Sequence, residues 1–199
     1  MAKKTVLVLM AAFAISVPAF AADTGGYLVG MVGQTKFNKD ATDTTGLTNA
    51  SVKDTGTGIK LGGGYAFNRN LAVEGAYVDL GKATLSGTFG ANNVSQTFKA
   101  SGLVVVAAGM LPVSNQFTLL GRLGVIDATV KADASVGNVS ASDKSTKVKT
   151  TFGIGVAYSF TPQFAIRGDF DRYSKLGDSN TTGESDVDMI SIGVVYKFQ

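Results

Sequence analysis

The chain has 199 residues, among them 25 glycines and 3 prolines, with no cysteine, histidine or tryptophan and a formal charge of +3. These numbers exclude disulfide stapling and thiolate metal sites, and the near-balanced charge gives no footing for nucleic acid. Glycine at this level, without a collagen repeat, suits an all-β protein with tight bends and close backbone approaches.

The first element in chain order is a leader. Lys3 and Lys4 precede the apolar run TVLVLMAAFAISV, followed by Pro18 and the small-x-small sequence AFA at 19–21. A basic n-region, a short apolar core and a cleavage site describe a secretory signal peptide over 1–21, with the mature domain over 22–199. The apolar core falls short of the roughly 20 residues that a membrane helix needs. Removing Lys3 and Lys4, with no acid in the leader, takes the formal charge from +3 to +1. No later segment has an apolar run long enough for a membrane helix, so the high apolar content must be distributed by alternation.

Alternation then recurs through eight segments of about ten residues each, the length that a tilted strand needs to cross a bilayer. GYLVGMVGQ (26–34) offers Tyr27, Val29 and Met31 on one side. GIKLGGGYAF (58–67) sets Ile59, Leu61, Tyr65 and Phe67 against Lys60 and small residues. LAVEGAYVDL (71–80) places Glu74 among alanines, opposite Leu71, Val73 and Tyr77. SGLVVVAAGML (101–111) is apolar on both faces and leaves its register open. FTLLGRLGVI (117–126), VKTTFGIGVAYSF (148–160), FAIRGDFDRY (164–173) and DMISIGVVYKF (188–198) complete the set. Short connections (68–70, 112–116, 161–163) alternate with long polar ones (35–57, 81–96, 127–147, 174–186), which read as exposed loops. Short turns at one end and long loops at the other predict an all-β, eight-stranded antiparallel up-and-down transmembrane β-barrel.

Residue size assigns the faces. Faces bearing charge are otherwise filled by Gly, Ala, Ser and Thr, while the opposite faces hold Ile, Leu, Val, Phe and Tyr. A narrow lumen has room for the first set, and lipid suits the second; a soluble lipocalin-like barrel would reverse the polarity. Tyr65, Phe67, Tyr158, Phe160, Tyr196 and Phe198 gather at the short-turn ends on the lipid face, as interfacial aromatics do. A faint internal repeat aligns YAFNRNLAVEGAY (65–77) with YSFTPQFAIRGDF (158–170), so that Glu74 matches Arg167.

GGGYAFNRNLAVEGAYVDLGK (62–82), GVAYSFTPQFAIRGDFDRYSKLG (155–177) and the C-terminal ISIGVVYKF resemble the eight-stranded outer-membrane barrels of the OmpA transmembrane domain, OmpX and the opacity proteins. The resemblance covers essentially the whole mature segment and does not extend to a peptidoglycan-binding domain, so cell-wall anchoring is not carried over. It implies a final strand read by the barrel-assembly machinery, here through Tyr196 and Phe198, with Gln199 a small departure. It also implies periplasmic chaperones as biogenesis partners and a lumen closed by ion pairs. Position along the strands agrees with the last point. Counted from each short turn, Glu74 and Arg167 stand three along, Arg122 and Asp169 five, and Asp171 seven, all inward, with Lys60 somewhat above. Which charge pairs with which stays open.

Two roles fit the inward charges: a self-neutralising plug, or a gate whose ion pairs rearrange to pass small ions. The loops add a third class, surface binding or adhesion. Catalysis is disfavoured, because barrel enzymes use a histidine base and this chain has none. The best carboxylate dyad, Asp169 and Asp171, lies beside arginines. Arg172, outward near the top of its strand, is a candidate contact for lipopolysaccharide phosphate, and Asp79 has a comparable rim position; the same place lets Arg172 snorkel into solvent. The expectation is a monomeric outer-membrane structural barrel that takes no cofactor or metal and meets lipid and lipopolysaccharide. Its N-terminus and short turns lie in the periplasm and its long loops outside. Eight strands are too few for a general porin.

Overall fold

A computed structural model describes residues 24–38, 48–89, 92–137, 139–179 and 181–198; the expected leader over 1–21 lies outside the described residues, as does Gln199. The strands are β1 (Gly25–Asn38), β2 (Thr48–Lys53), β3 (Thr55–Asn68), β4 (Leu71–Phe89), β5 (Asn92–Pro112), β6 (Phe117–Val136), β7 (Val139–Ser159), β8 (Phe164–Asp178) and β9 (Gly183–Lys197). They form one antiparallel sheet in the order β2-β4-β3-β1-β9-β8-β7-β6-β5, which the β4–β5 pairing closes into a ring of all but β2. The short strand β2 lies outside the ring, against the upper part of β4 (Lys53 opposite Thr84). The first and last strands meet along one seam, Tyr27 opposite Lys197 through Asn38 opposite Asp186.

The alternating pattern places the strand faces largely as expected. Leu61, Tyr77, Leu123, Ile154 and Ile190 are exposed on the outer wall, while Lys60, Glu74, Arg122, Arg167, Asp169 and Asp171 are buried inside it. Two strands had no face assigned from the sequence. On β1 the outward residues are Leu28 and Val32, and Tyr27, Val29 and Met31 point inward. Both alternate sets of that strand are apolar, so residue size carried no signal there. On β5, Val104, Val106 and Ala108 face the lumen and Leu103 and Val105 the outside. At the short-turn end the aromatics touch in sequence, Phe160 on Phe164, Phe164 on Tyr196 and Tyr196 on Phe198, with centroids 6.1, 5.0 and 5.3 Å apart.

The strands are longer than ten residues. β5, β6 and β7 run for 21, 20 and 21 residues, so most of the sequence expected as loop over 81–96 and 127–147 is strand. Ser, Asn, Asp and Gly made these stretches read as loop, yet each keeps alternate Val, Thr or Ala positions, and antiparallel pairing satisfies its backbone just as well in water. The extension is one-sided. β7 pairs with β6 along its whole length (Phe117 opposite Tyr158 through Val136 opposite Val139), but its pairing with β8 begins only at Thr151 opposite Tyr173. The upper half of β7 is therefore a free edge, and Lys144, Lys147 and Lys149 on it are the kind of residue that blunts edge-to-edge association.

The buried charges occupy the middle of the lumen, with apolar clusters on either side of them. At the short-turn end, Tyr27, Val29, Met31, Ala72, Ala108, Ala165 and Val195 form an apolar layer. At the long-hairpin end, Phe37, Val78, Leu80, Ile126, Val187 and Met189 are among the residues of a second one. The charged side chains are held between the two.

Candidate functional site

β4 and β8 are four steps apart in either direction round the ring, so they form opposite walls. Glu74 on β4 and Arg167 on β8, the pair aligned by the internal repeat, reach across and meet. Arg167 Nη1 and Nη2 donate to Glu74 Oε1 and Oε2 at 2.6 and 2.9 Å, a bidentate fork. Arg167 Nε also donates to Asp169 on its own strand at 2.9 Å. Asp169 accepts from Arg122 Nη1 on β6 at 2.5 Å and from Lys60 Nζ on β3 at 3.0 Å. Lys60 continues to Asp171 at 2.6 Å, and Arg122 Nη2 lies 3.0 Å from the same carboxylate. All six residues named from the sequence are thus joined, three cations to three carboxylates, with every member buried. Such a cluster is tolerable in a low-dielectric interior only because each charge has partners.

Glycine makes the room. Gly155 is opposite Asp169 and Gly153 opposite Asp171 on the neighbouring strand. A Cβ at either position would collide with the Oδ1 atom of that aspartate. The alternation of glycine along β7 is therefore the imprint of the carboxylates on β8.

Sequence reasoning missed Tyr27. Its hydroxyl donates to Glu74 Oε1 at 2.7 Å, so the lower apolar layer reaches into the network through one polar tip. The available signal was Gly64, opposite both Tyr27 and Glu74, where a Cβ would stand 2.5 Å from the Tyr27 ring. Tyr173 caps the network from above. Its hydroxyl and Arg122 Nε are the two buried side-chain polar atoms left without a partner among the described residues, and both residues line one small cavity.

The remaining candidates lie elsewhere. β8 extends to Asp178, so Arg172 is on the outer wall partway along the strand rather than near its upper end, and its Nε and Nη2 donate to Asp188 on β9 at 2.6 and 2.7 Å. Asp188 also accepts from Asn38 at 2.6 Å. The guanidinium is therefore engaged along the wall. Asp79 is exposed beside the bend in β4 and accepts from the Gly81 amide at 2.8 Å. Tyr196 and Phe198 are exposed at the seam, and the Phe198 amide donates to the Gly26 carbonyl at 2.9 Å.

A family model described as the outer membrane protein beta-barrel domain matches residues 5–198. The chain belongs to this outer-membrane β-barrel family. Among curated relatives, Outer membrane protein A of Shigella flexneri is 30% identical over 204 residues, covering 98% of this chain and 56% of that protein. Outer membrane protein A of Serratia marcescens is 33% identical over 138 residues, covering 68% and 37%. The chain thus spans about half the length of the curated relatives it matches, or less. Among solved structures, the attachment invasion locus protein Ail of Yersinia pestis superposes with a TM-score of 0.57 at 20% identity, covering 87% of this chain and 99% of that one. OprG of Pseudomonas aeruginosa gives 0.54 at 16%, covering 89% and 98%. These likenesses are of fold. The Gram-negative outer membrane is where this family resides, and its members here are barrels that cross with strands.

Proposed function

We propose that this chain is a structural, non-catalytic barrel of the outer membrane whose lumen is sealed by its own side chains. The leader is removed on export, the short turns face the periplasm and the long hairpins face outward. The barrel works as a monomer delivered by periplasmic chaperones and the assembly machinery, with Tyr196 and Phe198 as the terminal signal. The observation that carries this reading is the layering of the lumen: a charge network in which every ion has a counter-ion, between two apolar layers. A conducting path needs continuous polar lining, and a charge entering either apolar layer would lose its hydration without replacement. The network then serves as a cross-brace between opposite walls.

The test is electrical. Wild-type barrels, and Glu74→Ala and Arg167→Ala variants, are reconstituted in planar bilayers; all three are expected to give no discrete current steps. Steps in the wild type whose size or frequency changes in either variant would replace the brace with an ion-passing gate. The tall hairpin wall of β4–β7 favours one second reading, contact with external surfaces, which whole-cell binding with shortened hairpins would detect.

A further inference from the structure

The pairing register of the outer hairpins brings four lysines into one row. Lys82 on β4 is opposite Lys99 on β5, Lys99 is opposite Lys131 on β6, and Lys131 is opposite Lys144 on β7. All four are exposed. Residues directly opposite in antiparallel strands share a face with Cβ atoms about 4.5–5.5 Å apart, and like charges so placed repel. The row makes three such contacts in succession. Among the described residues none of the four has an ion-pair partner, whereas Lys147 and Lys149, on the same hairpin, are paired with Asp178 and Glu184. A sheet selected for its own stability would alternate sign here.

The row is also aimed. Leu80 and Ala83 both belong to the inner apolar layer, so the simple alternation of β4 is broken between them. The break is a bulge, marked by the register shift between Asp79 and Lys82 and by Gly81 at φ +72°. Such a bulge re-aims the following side chain and requires glycine at positive φ. Without it Lys82 would point into the lumen; with it, Lys82 joins Lys99 on the outer wall.

That wall is continuous with the lipid-facing surface. Below Lys82 and Lys99 come the outward pair Asp79 and Ser101, and below these the exposed apolar pair Tyr77 and Leu103. Because barrel strands tilt by roughly 35–45°, a row running across them climbs away from the membrane. It begins at the rim with Lys82 and rises to Lys144. Three carboxylates share this face, Asp79 and Asp127 below the row and Asp133 above it. We propose that Lys82, Lys99, Lys131 and Lys144 bind the anionic groups of an outer-leaflet glycolipid, lipopolysaccharide. Its phosphates lie at the membrane surface, and its acidic sugar core rises beside the barrel along the climbing row. Arg172, held by Asp188 on another part of the outer wall, is not needed for this contact. A row flush with the lipid wall suits a ligand standing in the leaflet rather than one descending on the hairpin tips.

The proposal rests on the outward orientation of the hairpins, which is tested separately. The chain has no cysteine, so Lys131→Cys offers a single thiol. Labelling by a membrane-impermeant maleimide on intact cells is expected, and its failure would overturn the orientation and the proposal with it. For binding, barrels are placed in nanodiscs of phosphatidylethanolamine and phosphatidylglycerol with or without lipopolysaccharide. The readout is the temperature at which unboiled samples convert to unfolded gel migration. Lipopolysaccharide is expected to raise the wild-type midpoint. The quadruple variant K82Q/K99Q/K131Q/K144Q should match or exceed the wild-type phospholipid-only midpoint, because the repulsion is relieved, yet lose the increment and retain about tenfold less lipopolysaccharide on purification, as losing several surface cations implies. The double variant K147Q/K149Q should retain wild-type amounts. An undiminished increment in the quadruple variant overturns the proposal. So does an equal response of the wild type to soluble inorganic polyphosphate in phospholipid-only discs, which would place the ligand in solution.

Discussion

At the residue scale the network is defined by what each charge would lose. Removing Arg167 strands Glu74, which then keeps only the Tyr27 hydroxyl. Uncompensated burial of this kind costs about 3–5 kcal/mol. Arg167→Ala is therefore expected to lower the urea midpoint of heat-modifiable migration sharply, and Glu74→Ala comparably, with the double variant much less destabilised than the sum. Additive losses would show that the pair does not act as a unit. The glycines make a second demand. Gly155→Val should push Asp169 out of reach of its cations and destabilise by about 1–3 kcal/mol from overpacking alone. Gly121→Ala is the matched control, since nothing lies within 4 Å of a Cβ there.

At the element scale, the hairpin of β6 and β7 rises beyond the barrel proper, held by its own ladder and by β5. Deleting 132–143 and joining Lys131 to Lys144, which already face each other, is expected to leave heat-modifiable migration intact, because the deletion removes pairing only within the hairpin and with the upper end of β5 and leaves the lower ring untouched. Loss of that migration would mean that the extension props the barrel open or shut. The same elements show what the sequence could and could not carry. The eight ring strands, their order and their inward charges were legible because size and charge alternate cleanly where lipid and lumen differ, as on β3, β4, β7 and β9, whereas β2 lies in a stretch expected as loop. Strand ends were not, because above the membrane both faces meet water and the pattern has nothing to contrast. β1 was uninformative for the opposite reason: the lower lumen layer is as apolar as lipid, so the side holding Tyr27, Val29 and Met31 could not be assigned to either. The partner of Glu74 was suggested by the internal repeat, whereas Tyr27 was hidden by that same apolar disguise.

At the scale of the whole molecule, the network joins residues far apart in the chain and on different walls: Lys60, Glu74, Arg122 and the β8 carboxylates. Glu74 and Arg167 stand four strands apart in either direction and can meet only when the sheet has curled to bring opposite walls together. Substitutions in the network should accordingly speed unfolding while leaving the folding rate into lipid vesicles nearly unchanged, as interactions made after the transition state do. A large fall in folding rate for Arg167→Ala would place the network early instead. The late arrival of these contacts has a consequence for how the barrel is built. An unclosed sheet in a bilayer would keep the pairs made within β6–β8 but would present Glu74 and Lys60 on its concave side without the β8 partners that face them across the lumen. Half-made barrels are thus the least tolerable species on the route, and the cross-brace acts as a latch that makes completion all-or-none.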